Sequence, residues 1–171
     1  MRIVVVLLAL SLVFAAPEGD APAQGPPKKQ VPGPEHRQFD FWIGEWTVTS
    51  QGGFAGKNVI TSAEGGFALI EKWSGAGGGT GTSLNYYDRA DKEWHQTWID
   101  SSGNALTLSG GLVDGKMVLS SEPADHPQGG KVVQRVTWTP LEGGKKVRQH
   151  WESSRDGGKT WSTVFDGLYS K

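Results

Sequence analysis

The residues in this chain with chemistry to offer are polar groups set among rings. In FALIEKW, residues 67–73, Glu71 shares strand parity with Phe67, Leu69 and Trp73, although Ile70 on the other parity leaves the opposite phase open. Three amides repeat the pattern. Gln96 lies between Trp94 and Trp98 in EWHQTWID, Gln134 runs in phase with Val132, Val136 and Trp138, and Gln149 with Val147 and Trp151. Asn85 and Tyr87, from SLNYYD, share one parity in the strand before Trp94. An amide offers both a donor and an acceptor, an indole offers a face for stacking, and a carboxyl buried among rings has its charged form disfavoured and can serve as general acid or base.

Burying an amide without a partner costs about 1–3 kcal/mol, so a chain built for stability alone would carry Val or Leu at those positions. Two arrangements satisfy the amides. Either they face water or a ligand in an enclosed space, or they close a network with one another, indole N–H groups and trapped water. The candidate ligand-lining set is Glu71, Trp73, Asn85, Tyr87, Trp94 and Gln96, continued by Trp98, Gln134, Trp138, Gln149 and Trp151.

Short strands must position these side chains. About ten candidates follow one another, at 44–50, 57–64, 67–74, 79–88, 92–100, 104–111, 115–121, 131–139, 145–153 and 160–170. They are separated by turn chemistry such as EGG, DRADK, SSGN, VDGK and LEGGKK. Links this short join antiparallel neighbours. Ten strands in a meander expose two edges unless the sheet closes, so the expected fold is all-β: a single antiparallel up-and-down barrel, with a two-sheet sandwich as the alternative. Charge falls on one parity (Glu93, His95; Arg135; Arg148, His150, Glu152) and rings on the other, which makes the ring-bearing face the interior. On the last strand Trp161, Thr163, Phe165 and Tyr169 form the inward set.

Before the first strand, HRQFDFWIG suits a single helical or 3₁₀ turn with Asp40 as cap and Gly44 as exit. It would plug one barrel end, with Phe39, Phe41, Trp42 and Trp46 packed under it.

Other motifs read as structural. S-x-D-x-G-x-T-W, from Ser154, Asp156, Gly158, Thr160 and Trp161, is similar to the Asp-box turn of sialidases and related propellers. A propeller needs one copy per blade; with one copy here it is the turn between the last two strands. GAGGGTGTS, residues 75–83, has no following Lys and reads as a hairpin at the barrel lip. The histidines at 36, 95, 126 and 150 lack metal-ligand spacing, so no metal or cofactor is expected, and without cysteine there is no thiol nucleophile.

Residues 1–23 read as a secretory signal peptide: Arg2, an apolar run from Ile3 to Phe14 too short to span a membrane, then small residues that permit cleavage after Ala15 or after Ala23. Residues 24–35 read as a proline-rich disordered linker, and 36–171 as the barrel domain. The expected location is therefore exported, in the periplasm or outside the cell. The chain has a formal charge of −1; cleavage after Ala15 leaves −2 and cleavage after Ala23 leaves 0. Neither value supports a nucleic-acid or membrane-surface partner, and a monomer or weak dimer is expected.

FDFWIGEWTV (39–48), SLNYYD, Trp94-x-Gln96-x-Trp98, TWTPL and SSRDGGKTW, in that order, resemble a family of small, often secreted bacterial domains to which no function has been assigned. Gly44-Glu45-Trp46 is similar to the G-x-W start of lipocalins, and the ten-strand count resembles nitrobindin. The resemblance implies a calycin-like barrel that binds a small amphiphilic or hydrophobic molecule in its lumen. Where lipocalins carry an arginine over the G-x-W tryptophan, the last strand here offers Lys171. Nitrobindin-like proteins hold haem through a late-strand histidine, for which His150 is the counterpart, but its parity turns it outward with Arg148 and Glu152. The expectation is thus a lumenal binding protein. The alternatives are an isomerase- or hydrolase-type enzyme using Glu71, a haem-binding barrel, and a filled barrel acting through its outer surface.

Overall fold

The computed structural model describes residues 30–126 and 129–171; the expected signal peptide and most of the linker lie outside them. The rows of alternating residues form eleven strands: β1 Gly44–Ser50, β2 Gly53–Ala63, β3 Ala68–Gly75, β4 Thr80–Asp88, β5 Glu93–Asp100, β6 Ala105–Val113, β7 Lys116–Ser120, β8 Ala124–Asp125, β9 Lys131–Leu141, β10 Lys146–Ser154 and β11 Ser162–Ser170. Each of β1 to β6 pairs antiparallel with the next, β7 continues to β9, and β9 to β10 to β11 returns to β1. Ten strands therefore close a barrel. The extra strand, β8, pairs only with the start of β9. Closure removes both edges of the sheet, which a chain with no cysteine could not otherwise staple.

Strand direction sorts the barrel into two ends. The turns after β2, β4, β6 and β9 share one end with the N-terminal approach to β1, and the remaining turns share the other. At the first end two 3₁₀ turns, Pro34–Arg37 and Asp40–Trp42, lead into β1. Phe39 and Trp42 are fully buried, stacked with ring centroids 4.9 Å apart, and meet Trp138 at 5.1 and 5.3 Å. Trp46 donates its indole N–H to the Trp42 carbonyl at 2.8 Å, while Trp94 donates to Glu35 O and Gln38 Oε1, both at 3.2 Å. The plug is as the ring-rich segment implies, except at Asp40. Phe39, not Asp40, occupies the cap position, and Asp40 pairs with Arg37 at 2.6 Å. Lys171 places its ammonium 4.8 Å from the Trp46 ring centroid, a cation over the G-x-W indole from lysine in place of arginine.

Parity holds along most strands and is interrupted at two bulges, one in β2, where Val48 pairs with Gly56 but Thr49 with Phe54, and one in β11. Trp151 pairs with Phe165 but Glu152 pairs with Thr163, leaving Val164 as the extra residue of β11. The phase reverses there. Thr163, expected inside, lies outside within 3.0 Å of His150 Nε2, and Trp161 lies outside with the Arg135 guanidinium 3.9 Å over its ring. His150 faces outward as its parity requires, between Thr163 and Glu152.

The Asp-box segment is the β10–β11 turn. The Asp156 carboxylate accepts from Ser154 Oγ, Lys159 N, Thr160 N and Thr160 Oγ1, and Trp161 donates to Gly158 O. The Thr160 hydroxyl, then the turn amide and Ser154, hold the carboxyl down at about 2. Because the folded value is depressed, its stabilisation is present above the ordinary carboxylate range and lost as pH falls toward 2. Asp156→Ala should lower the melting temperature at pH 7 and remove part of the loss the parent shows below pH 4. A thermal melt unchanged at pH 7 would contradict this role.

Candidate functional site

Between the plugged end and the open end the lumen has three layers. The lowest is solid with rings and apolar side chains: Phe39, Trp42, Trp94, Trp138, Met117 and Val147 are all buried. Three residues expected to line the site lie here or against it. Trp94 and Trp138 belong to the plug, and Tyr87 packs on His36 and Trp94 at 5.3 and 6.4 Å.

Above the rings lies a polar floor. Asn58 on β2, Glu71 on β3, Ser83 and Asn85 on β4 and Gln96 on β5 are buried in one connected network. Asn58 Nδ2 donates to Glu71 Oε1 and Ser83 Oγ to Glu71 Oε2, both at 2.6 Å. Asn85 Nδ2 donates to Ser83 Oγ at 2.9 Å and to the Leu69 carbonyl at 3.3 Å, and Gln96 Nε2 donates to Asn85 Oδ1 at 2.8 Å. Asn58 Nδ2 also reaches Tyr169 Oη at 3.3 Å, and the Tyr169 hydroxyl donates to Gln149 Oε1. Register brings these residues together: Glu71 pairs with Ile60 and Ser83, and Asn85 with Leu69 and Gln96.

The upper layer is open. A cavity of about 280 Å³, at the lower end of small-molecule pockets, is lined by Glu71, Gln96 and Gln149 below and by Trp73, Trp98, Trp151, Phe165, Leu106 and Val136 around it, with Val164 at its rim. The structure thus brings six of the eleven expected residues to one cavity: Glu71, Trp73, Gln96, Trp98, Gln149 and Trp151. Asn85 lies beneath it, bonded to Gln96, and Gln134 holds the Trp151 indole N–H at 2.7 Å. Both arrangements that could satisfy the amides are present, a bonded network and an open space above it.

The site also uses residues that the periodic reading passes over. Asn58, Ser83 and Tyr169 complete the floor, and three inward glycines make room for the walls. A Cβ on Gly81 would lie 2.1 Å from Trp98 Cζ2, one on Gly167 2.5 Å from Phe165 Cε1, and one on Gly56 2.5 Å from the Ser74 carbonyl oxygen and 2.7 Å from Trp73 Cη2. The sequence signal was an inward-parity glycine on a strand beside a large ring. In Gly81→Ala the three nearest atoms, Cζ2, Cη2 and Cε2, all belong to the Trp98 ring, so the indole must shift, and the open space beside it is the cavity. The expected result is an overpacking cost of about 1–3 kcal/mol, read by urea unfolding. Unchanged stability would show that the indole moves into the open space at no cost.

Electrostatically the floor is a single acid. Burial pushes the Glu71 carboxyl up to about 7, against the lowering effect of the bonds from Ser83 and Asn58. Tyr169 is raised by burial and then by the Glu71 charge, so it remains a neutral phenol. A carboxyl with that value can take or give a proton at neutral pH to a group in the cavity. Elsewhere, Asp88, Asp91 and His95 bring ligand atoms within 4.8 Å of one another on the outer face, where His95 Nε2 and Asp91 Oδ2 already pair at 2.8 Å.

Comparison of the sequence with models of known protein families gave no match, and neither did comparison with curated proteins. The closed ten-strand antiparallel barrel is consistent with a calycin-like fold.

Proposed function

We propose that this barrel binds one small amphiphilic molecule in the open half of its lumen, and that the protein is exported to do so. The observation that carries the reading is the unequal filling of the interior. Rings pack the plugged half solid, while on the other side of the polar floor Trp73, Trp98 and Trp151 surround open volume. A barrel serving only as a scaffold gains from filling that space, since each buried CH₂ contributes about 0.8 kcal/mol. Glycines at 56, 81 and 167 accommodate rings that border the cavity. The ligand's apolar body would lie against the indoles and its polar end on Gln96, Gln149 and Glu71. Export rests on the N-terminal segment: Arg2, the apolar run from Ile3 to Phe14 and the small residues that follow it.

Tryptophan emission tests this directly, because three indoles border the space. Titration with benzyl alcohol, 2-heptanone or a comparable small amphiphile should shift or quench emission saturably. Gln96→Leu, which removes one floor amide, should change the affinity at least threefold. Emission unmoved by every probe, in protein with intact near-ultraviolet circular dichroism, would overturn the reading.

A further inference from the structure

We propose that the lumenal ligand is a small organic cation, an ammonium-bearing molecule whose charged nitrogen is held between the indole walls and the Glu71 carboxylate; this rests on the binding reading above. The first observation is the wall. Trp73, Trp98, Trp151 and Phe165 surround one cavity, and their positions are set: Trp73 stands 6.2 Å from Phe165, edge to face, Trp98 covers Gly81, and Trp151 is tied by its indole N–H to Gln134. Indole faces carry negative potential and attract cations more strongly than other rings do.

The second observation is the floor. Both oxygens of Glu71 accept hydrogen bonds at 2.6 Å, from the Asn58 amide and the Ser83 hydroxyl, an arrangement that suits the ionised form. Yet among the described residues no lysine, arginine or histidine lines this cavity. The nearby basic side chains are spent outside the barrel: Arg135 on Glu152 and Trp161, Arg148 on Asp166. A buried carboxylate with donors but no counter-charge is an incomplete pair, since buried charges are ordinarily matched.

The chemistry of other ligands fits less well. An anion would meet Glu71 with no cation to offset it. A purely apolar molecule would fill the walls but leave the floor unpaired, because Gln149 spends its oxygen on Tyr169 and Gln96 spends its amide N–H on Asn85. Both side chains line the cavity, and these bonds leave the Gln149 N–H as a donor and the Gln96 oxygen as an acceptor for a ligand. A cation that also carries a hydroxyl or carbonyl satisfies the ring faces, the carboxylate and the Gln149 donor together. Contact with a cation also lowers the Glu71 carboxyl from its raised value near 7, so binding and ionisation favour each other.

The groups facing Glu71 from each packed strand are Asn58 and Ile60 on β2, Ser83 and Asn85 on β4, Gln96 on β5, Gln149 on β10 and Tyr169 on β11, of which only Tyr169 titrates. A pH effect on binding between 5.5 and 8 is therefore assigned to Glu71.

Choline and its uncharged isostere 3,3-dimethylbutan-1-ol separate charge from shape. With the full chain, calorimetry and tryptophan emission at pH 8 should show choline binding at least tenfold more tightly than the isostere. That preference should shrink at pH 5.5, where Glu71 is protonated, and vanish in Glu71→Gln while the isostere still binds, which shows that the variant is folded. Equal affinity for the two at pH 8 overturns the cation assignment and leaves lumenal binding standing. A choline preference that persists in Glu71→Gln overturns the role given to the carboxylate. Silence from choline, the isostere and the neutral amphiphiles alike overturns both proposals.

Discussion

Replacing Phe39 by alanine should lower the unfolding free energy by about 3–5 kcal/mol, the range expected for truncating a fully buried ring. The ring is wholly buried and touches four others: Trp42 in a stack, Trp138 and Trp94 edge to face, and Phe41 tilted at 5.5 Å. The same layer contains the buried indole N–H groups of Trp42 and Trp138, which have no acceptor among the described residues. Each such group costs about 1–3 kcal/mol, so ring burial and dispersion must outweigh that debt for the plug to form. Removing one ring leaves a void lined by rigid neighbours that collapse poorly, and no disulfide limits the unfolded chain. Against a typical domain stability of about 5–15 kcal/mol, the variant would sit near the threshold of folding. Phe54→Ala is the matched control, because that ring is 56% exposed and should change stability by less than about 0.5 kcal/mol. Urea unfolding of the three proteins decides it. A Phe39→Ala loss no larger than that of the control would mean that the plug is dispensable.

Why these layers were partly legible in the chain follows from what a period of two can carry. Alternation in EWHQTWID and KVRQHWES assigns Gln96 and Gln149 to the interior, and pairing with neighbours on both sides keeps that phase in the folded sheet. Alternation says nothing about height along the barrel, however. Trp94, Trp98 and Trp138 share the inward parity, yet Trp94 and Trp138 belong to the plug and Trp98 to the cavity wall. Height depends on stagger between strands, which is a property of the closed sheet. A one-residue bulge is equally hidden: nothing in WSTVFDGLY marks Val164 as extra, so strict alternation places Trp161 and Thr163 inside whereas the fold turns them outward. Asp40 failed as a cap because its carboxylate has a cation three residues earlier, and that ion pair takes it from the backbone. The hairpin reading of GAGGGTGTS covers Gly81 and alternation gives no role to Gly56 or Gly167, whereas all three leave space for a neighbour's ring, Gly56 for the Ser74 carbonyl as well.

Stability should fall as pH rises from 5 to 8, and Glu71→Gln should abolish most of that slope. The carboxyl sits near 7 in the fold against an ordinary value of 4.5, raised by burial despite its bonds to Ser83 and Asn58. A folded value above the unfolded one means that the native state holds the proton more tightly. The contribution is therefore complete below about 4.5 and is lost progressively up to about 7. A shift of this size corresponds to roughly 3 kcal/mol, as an order of magnitude. Other shifted acids act elsewhere. Asp91, Asp100, Asp156 and Asp166 are held low, so their contributions vanish as pH falls below the carboxylate range, and Asp40, raised by partial burial against the pull of Arg37, starts from 3.8. Glutamine keeps the shape of the protonated acid and can be accommodated: the Ser83 hydroxyl can rotate to accept, and Asn58 Oδ1, which lacks a partner, can accept from an amide once its own amide turns over. The variant should thus match the parent near pH 5 and exceed it at pH 8. Chemical unfolding at the two pH values, without added ligand, checks both statements. A parent that is equally stable at pH 5 and pH 8, or a slope that survives in Glu71→Gln, would show that the carboxyl's burial does not govern its protonation. An added cation that restores the parent's stability at pH 8, but leaves the glutamine variant unmoved, would tie the same carboxylate to the ligand.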